Sequence, residues 1–272
     1  MNYPRIIVYG IISVLGAATV FFIMQDSFSV PPHAYRDSFH TDLKLEESNS
    51  ASSTAPAPWR LSSGAQFVVQ NGIGQTLQND LDPTSPWYRA YAESNPVDTD
   101  GGMHPQNIFR LQTTDTWKNF TQQAYFRIGR INLSDSPNRN SSNGLFFFNR
   151  AKDPNNLYYT GLRVDGAAVI KKKMNGEYMT LVEKKLFDGE YDPMDTPNLL
   201  PQHTWIGLKS EVQDAAGGKV RIRLFIADQT GNWKLVAETT DTSDPIFREA
   251  GYAGIRTDFM NVSFEAYSID GN

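Results

Sequence analysis

The 272-residue chain contains no cysteine. Disulfide scaffolds, thiolate zinc sites, iron–sulfur clusters and cysteine nucleophiles are thereby excluded. The absence is silent on compartment, because an oxidising location permits disulfides without requiring them. Histidine is scarce, with four residues in all. Basic charge is not in excess: 25 Lys and Arg stand against 30 Asp and Glu, a formal charge of −5. That balance excludes a generally basic nucleic-acid binder, and no nucleic-acid partner is expected, although a local basic patch stays open. Amphipathic helical patterns are missing after residue 60, and so is any internal repeat of fixed period. No strand carries the closely spaced carboxylate pair of a retaining glycosidase. The nearest string, Glu190-Tyr-Asp192-Pro-Met-Asp195, contains Pro193 and reads as a loop. What the chain does have is 12 % aromatic residues, 20 Gly and 15 Pro, a mixture that suits a globular domain of strands and turns.

Residues 6–24 form one uncharged apolar run, preceded by Arg5 and followed by Gln25 and Asp26. As a helix the run spans roughly 28 Å, close to the hydrocarbon thickness of a bilayer. The positive-inside rule leaves residues 1–5 as a cytoplasmic stub and puts the remainder outside. A cleaved signal peptide is the competing reading, but its apolar core is usually shorter and ends in an A-x-A-like site, which is not evident here. The expectation is a single-pass anchor in the cell membrane with an extracytoplasmic C-terminal domain. Residues 25–58 read as a disordered linker, because Pro31-Pro32 and the Ser/Ala/Pro run 48–58 lack apolar periodicity. Within it, Asp42-Leu-Lys-Leu-Glu-Glu47 is the one stretch able to form a helical turn.

From Trp59 to the end of the chain, residues 59–272, strand patterns recur. Lys219-Val-Arg-Ile-Arg-Leu-Phe-Ile226 alternates, with Val220, Ile222, Leu224 and Ile226 on one face. Gln123–Ile131, Asn156–Val164 and Phe259–Ile269 follow the same style. Asp165-Gly166, Asn175-Gly176, Gly217-Gly218 and Thr230-Gly231 supply the turn residues between such runs. The prediction is an all-β domain, a two-sheet antiparallel sandwich. Residues 71–104 read as long ordered loops around one or two short strands. Trp87, Tyr88 and Tyr91 either pin this segment to the body or line a ligand groove.

Several stretches carry a family resemblance. They are Ser142–Phe148, Asp153-Pro-Asn-Asn-Leu-Tyr-Tyr-Thr-Gly-Leu-Arg-Val-Asp-Gly166, Val169–Tyr178, His203-Thr-Trp-Ile-Gly-Leu-Lys209, and Ala250-Gly-Tyr-Ala-Gly-Ile-Arg256 leading into Val262–Tyr267. Over residues 105–270 the chain resembles the concanavalin A-like lectin/glucanase superfamily, and within it the laminin-G-like members. The resemblance implies a jelly roll of two curved antiparallel sheets whose concave face often binds glycans. Its motifs are turns and core aromatics, so it speaks to fold more than to function.

The candidate chemistry centres on a local basic cluster, with Arg150, Lys152, Arg163, Lys171, Lys172 and Lys173 against Asp153 and Asp165. Lys171 and Lys173 share one strand face and Lys172 points the other way. Arg127 shares a face with Tyr125. Cations of this kind on a concave sheet suit carboxylated or sulfated sugars, although solvated Lys residues that protect a sheet edge give the same pattern. Tyr158, Tyr159, Tyr178, Trp117 and Trp205 are the candidate sugar platforms, and Tyr158 and Tyr159 must face opposite ways. The expected ligand-binding set is Arg127, Arg150, Tyr159, Arg163, Lys171 and Lys173.

An enzyme alternative is a polysaccharide lyase or glycoside hydrolase. His104, His203 and Tyr125 are its weak catalytic candidates, since Tyr125-Phe-Arg-Ile-Gly129 loosely echoes a strand of the jelly-roll alginate lyases. Asp98 and Asp100 form a weak candidate for Ca2+ within a Gly turn, and no other cofactor is expected. Asn119, Asn132, Asn140 and Asn261 begin N-x-S/T sequons. The function expected is noncatalytic binding of an extracellular or cell-wall glycan, with a protein-adhesion module as a further alternative.

Overall fold

The computed structural model describes residues 34–36, 39, 41–48, 58–228 and 230–271. The expected anchor over 6–24 and the stub 1–5 lie outside the described residues. Among the described residues no helix is long and apolar enough to cross a membrane.

The strands in chain order are β1 (Ala34–Arg36), β2 (Leu43–Glu46), β3 (Trp59–Ser63), β4 (Gln66–Gln70), β5 (Ile73–Gln75), β6 (Ile108–Trp117), β7 (Phe120–Ile131), β8 (Gly144–Asp153), β9 (Asn156–Arg163), β10 (Ala167–Met174), β11 (Glu177–Lys185), β12 (Ile206–Ala215), β13 (Lys219–Ala227), β14 (Trp233–Asp241), β15 (Gly251–Asp258) and β16 (Met260–Gly271). They form two antiparallel sheets. One runs β14-β13-β12-β7-β16-β5-β4-β2, with β1 also paired to β16, and the other runs β11-β10-β9-β8-β15-β6-β3. This is the two-sheet sandwich that the alternating patterns and the superfamily resemblance imply.

Alternation decides which side chains enter the core. On β13 Val220, Ile222 and Leu224 are fully buried while Arg221 and Arg223 are not. On β8 Leu145 and Phe147 face the other sheet, and Phe146 and Phe148 face outward into a separate apolar cluster. The inter-sheet core also holds a closed polar network. The Gln122 amide donates to Asn149 Oδ1 at 2.8 Å, Ser210 Oγ to the same oxygen at 3.1 Å, and Tyr267 Oη to Gln122 Oε1 at 3.0 Å. Gln122, Asn149, Ser210 and Tyr267 thus partner one another, which keeps their burial tolerable. The turn dipeptides behave as read: Gly166, Asn175, Gly176 and Gly231 all have positive φ.

Two expectations need correction. The sandwich begins before Trp59. β2 pairs with β4 and β1 with β16, and Phe39 is fully buried with its ring stacked 6.0 Å from Trp59. A sheet edge recruits a passing chain through backbone N–H and C=O groups, which needs no apolar run. Hence, within 42–47, Leu43–Glu46 forms a strand and not a helical turn. A helix, α1 (Pro86–Ser94), also lies in the segment read as loops. Ser85 caps it by accepting from the Trp87 N–H at 3.2 Å, and Pro86 occupies the first turn, a start signature for helices. Its one buried residue is Tyr91, too little for a periodic stripe. Tyr91 is the pin: its hydroxyl donates to the Glu47 carboxylate and accepts from the Gly64 N–H at 2.8 Å.

Candidate functional site

The outward face of the seven-stranded sheet carries an open cleft of about 470 Å³. Strand registry builds it in rows. Across the sheet, Thr180, Lys171, Tyr159, Phe148, Gly254 and Gln112 stand opposite one another on β11, β10, β9, β8, β15 and β6. The next row runs Val169, Gly161, Phe146, Arg256, Arg110 on β10, β9, β8, β15 and β6. Gly161 lies between Tyr159 and Arg163 on one strand face, where no side chain fits. A Cβ there would lie 2.0 Å from the Leu145 carbonyl oxygen and 2.9 Å from the Phe146 ring.

Tyr159 is the floor. Its ring packs 6.1 Å from Phe146 and stacks 6.1 Å from Tyr178, with Arg256 lying 5.0 Å above it. Arg256 donates to Tyr178 Oη at 2.9 Å and to Asp258 at 2.8 Å. Arg163 is held by Asp165 and by Glu183, the latter at 2.7 Å. Two cations are different. Lys171 is 8 % exposed, lines the cleft, and has no hydrogen-bond or ion-pair partner among the described residues; its ammonium lies 5.8 Å over the Phe146 ring. Arg110 lines the same cleft, and its guanidinium likewise has no such partner among the described residues. Burial, reinforced by Arg163 and Arg256, pushes the Lys171 ammonium down to about 8. Burial works to raise the Tyr159 phenol, but Arg256 and Arg110 outweigh it and bring it below the ordinary tyrosine value. Four cations, Arg110, Arg163, Lys171 and Arg256, thus line the cleft with two carboxylates, Asp98 and Asp258.

Of the expected ligand-binding set, Tyr159, Arg163 and Lys171 come together here. Lys173 sits at the margin, bonded to the Pro154 carbonyl at 3.0 Å and lying 5.1 Å over Tyr178. Arg127 does not belong. It projects from β7 in the other sheet and stacks 4.9 Å over Trp205, while the neighbouring outward residue Tyr125 packs against Trp233. Arg150 is a correction too. A bulge in β8 gives it a positive φ and turns it inward, where it is fully buried. Its guanidinium donates to the Lys118 and Phe247 carbonyls and to Asp214 at 2.9 Å. It ties strands together and is sealed from ligand. Tyr158 faces the core as its neighbour requires, bonding Asp241 at 2.5 Å, and Trp117 is buried.

The catalytic candidates are not brought together. His104 is clamped between Asp100 at 2.6 Å and Asp80 at 2.9 Å, away from the cleft lining. His203 is an exposed loop residue bonded through its N–H to Ile128, and Tyr125 lies on the opposite sheet. Asp98 and Asp100 hold loops: Asp98 accepts from Ser136 and Asn138, and Asp100 from His104, Ser134 and Asn107. Among the described residues no three acidic or histidine side chains gather as a metal site. Asn132 and Asn261 are buried and bonded to each other, so two of the four sequons are inaccessible. Arg110 and Arg256 were not anticipated. Their alternation in Ile108-Phe-Arg-Leu and Gly254-Ile-Arg signals an outward cation, but only sheet pairing places the two side by side.

No family model matches the chain, and no curated protein matches it in sequence. Among solved structures it is similar to the carbohydrate-binding module CBM66 from Bacillus subtilis, with 13 % identity, 79 % of this chain and 96 % of that one covered, and a TM-score of 0.49. It is also similar to the exoplasmic/lumenal domain of VIP36 in a Ca2+/Man3GlcNAc-bound form, with 9 % identity, 88 % and 90 % coverage, and a TM-score of 0.44. A Bacillus licheniformis beta-glucanase is a third, with 8 % identity, 85 % and 98 % coverage, and a TM-score of 0.45. The sandwich architecture rests on the strand pairings themselves.

Proposed function

We propose that this chain is an extracytoplasmic carbohydrate-binding domain, held at the membrane by residues 6–24, whose cleft on the seven-stranded sheet receives an anionic glycan without cleaving it. The observation that carries the reading is that Lys171 and Arg110, two cations without hydrogen-bond or ion-pair partners among the described residues, line one cleft together with Tyr159 and Phe146. A buried cation without a counter-ion is costly, and a ligand carboxylate or sulfate relieves that cost. Guanidinium groups bind carboxylates in bidentate fashion. Asn138, Asn140 and Ser142 at the rim supply polar partners for hydroxyl groups. The test is a glycan array probed with the full chain. Uronate or sulfated chains are expected to bind, and Lys171→Met is expected to abolish the signal. Absence of any glycan binding overturns the reading.

One observation favours a lyase instead. Lys171 and Tyr159 are opposed across a strand pair, and both titrate below their ordinary values, which suits a base and an acid beside carboxylate-binding arginines. Ultraviolet absorbance from unsaturated uronate products distinguishes it, because binding alone generates none. The adhesion alternative draws less support. The large exposed apolar side chains among the described residues lie on β11, β14 and three separate loops, not on one flat face.

A further inference from the structure

A second depression of about 240 Å³ adjoins the cleft on the same sheet face, and Arg110 and Tyr159 line both. Its character is different. Phe148, Ala151, Leu157 and Tyr252 form an apolar floor that belongs to the outer cluster and not to the core between the sheets. Of the polar groups at its rim, Arg60, Ser62 and Asp153 are already engaged, whereas the Arg110 guanidinium, shared with the cleft, is not. Arg60 donates to Gln112 at 3.1 Å, Ser62 to the Arg110 carbonyl at 3.3 Å, and Asp153 accepts from the Asn155 N–H at 2.7 Å. A sugar ring seated on the floor itself, among Phe148, Ala151 and Leu157, would set hydroxyl groups against apolar side chains, which costs free energy. An apolar group would gain by leaving water. Leu157 precedes Tyr159 by two residues on one strand face, a separation of about 7 Å, so a group attached to a sugar in the cleft beside Tyr159 reaches this floor along the sheet.

We infer that the two depressions form one site for an amphipathic ligand: an acidic saccharide bearing an alkyl or acyl substituent, with its acid among the cations that line the cleft and its substituent on Phe148, Leu157 and Tyr252. This rests on the anionic-glycan reading of the cleft and extends it. The apolar floor selects for the substituent, and the cations select for the acid. A neutral alkyl glycoside satisfies only the floor, and a bare uronate only the cations.

Isothermal titration of the full chain with glucuronic acid, octyl glucuronide, octyl glucoside and octanoate, each below its micellar concentration, tests the inference. Octyl glucuronide is expected to bind at least tenfold tighter than each of the other three. Tyr252→Ser is expected to remove that gain and to leave glucuronate affinity within twofold. Equal affinity for glucuronate and octyl glucuronide in the unaltered protein overturns the amphipathic site while the acid cleft stands, and this comparison does not depend on any variant folding. Octanoate binding as tightly as octyl glucuronide overturns the saccharide part. If neither glucuronate nor its octyl glycoside binds, the underlying anionic-glycan reading falls instead.

Discussion

Lys171 stands opposite Tyr159 across the β9–β10 pair, on the outer sheet face, with no carboxylate paired to its ammonium among the described residues. One residue further along β10, Lys172 is buried on the inner face and bonded to Asp241 at 2.9 Å. Adjacent lysines thus have opposite roles, and the two are separable by experiment.

Binding of a uronate is expected to depend on the charge of Lys171. Its ammonium loses its proton as pH rises through about 8. Affinity is therefore expected to be level below that pH and to weaken above it, approaching tenfold per pH unit if one proton is linked. Lys171→Arg, which stays charged, is expected to remove the dependence, and titration calorimetry from pH 6 to pH 10 reads it. An affinity that rises above pH 8 contradicts the assignment.

Lys172→Met is expected to destabilise the fold by about 3–5 kcal/mol, because Asp241 would remain buried without its cation. Burial works to raise the Asp241 carboxyl, but hydrogen bonds from Ser243, Tyr158 and Lys172 outweigh it and hold it below its ordinary value. Its folded-state value is thus lower than its unfolded value of about 3.9. The stabilisation is full above the unfolded value and is lost as pH falls through the folded one. Urea unfolding between pH 2 and pH 6 should show that acid limb, and Asp241→Asn should flatten it.

Gly161→Ala is expected to lower the melting temperature. The added methyl would meet the Leu145 carbonyl at 2.0 Å, backbone that cannot swing aside. Overpacking of this kind costs about 1–3 kcal/mol, or several degrees for a domain of this size. Scanning calorimetry measures it, and an unchanged melting temperature would show that β8 and β9 are not packed this closely.

Arg127→Ala is expected to leave uronate binding unchanged, since it projects from the opposite sheet. Arg150→Ala is expected to destabilise strongly, because it strips the Lys118 and Phe247 carbonyls of a buried donor and Asp214 of one of its two cations. Thermal unfolding and binding measured on the same two variants separate these roles, and loss of binding in a stable Arg127→Ala protein contradicts the placement.

Much of this architecture is legible in the chain. Period-2 alternation in Lys219–Ile226 and the Asn175-Gly176 turn announce strands and hairpins, because side-chain direction and positive φ are local properties. The opposed facing of Tyr158 and Tyr159, and of Lys171 and Lys172, is equally local. Three kinds of feature escape. β1 and β2 join the sheet through backbone hydrogen bonds that leave little trace in side-chain pattern. Arg150 turns inward at a bulge, and a bulge reverses facing without altering composition. Arg127 alternates outward as read, but outward from the other sheet, and which sheet a strand joins is set by distant partners.

The sequence by itself determined the all-β class, the absence of thiol chemistry and the outward direction of Tyr159, Arg163 and Lys171, since composition and alternation act over a few residues. Tertiary structure alone decided that Arg110 and Arg256 stand beside them and that Arg127, Arg150, His104 and His203 do not. The pairing of β6 with β15 and of β15 with β8 joins residues more than a hundred positions apart. Long-range registry of that kind is fixed by burying one face of each strand, and no local pattern encodes which strands will meet.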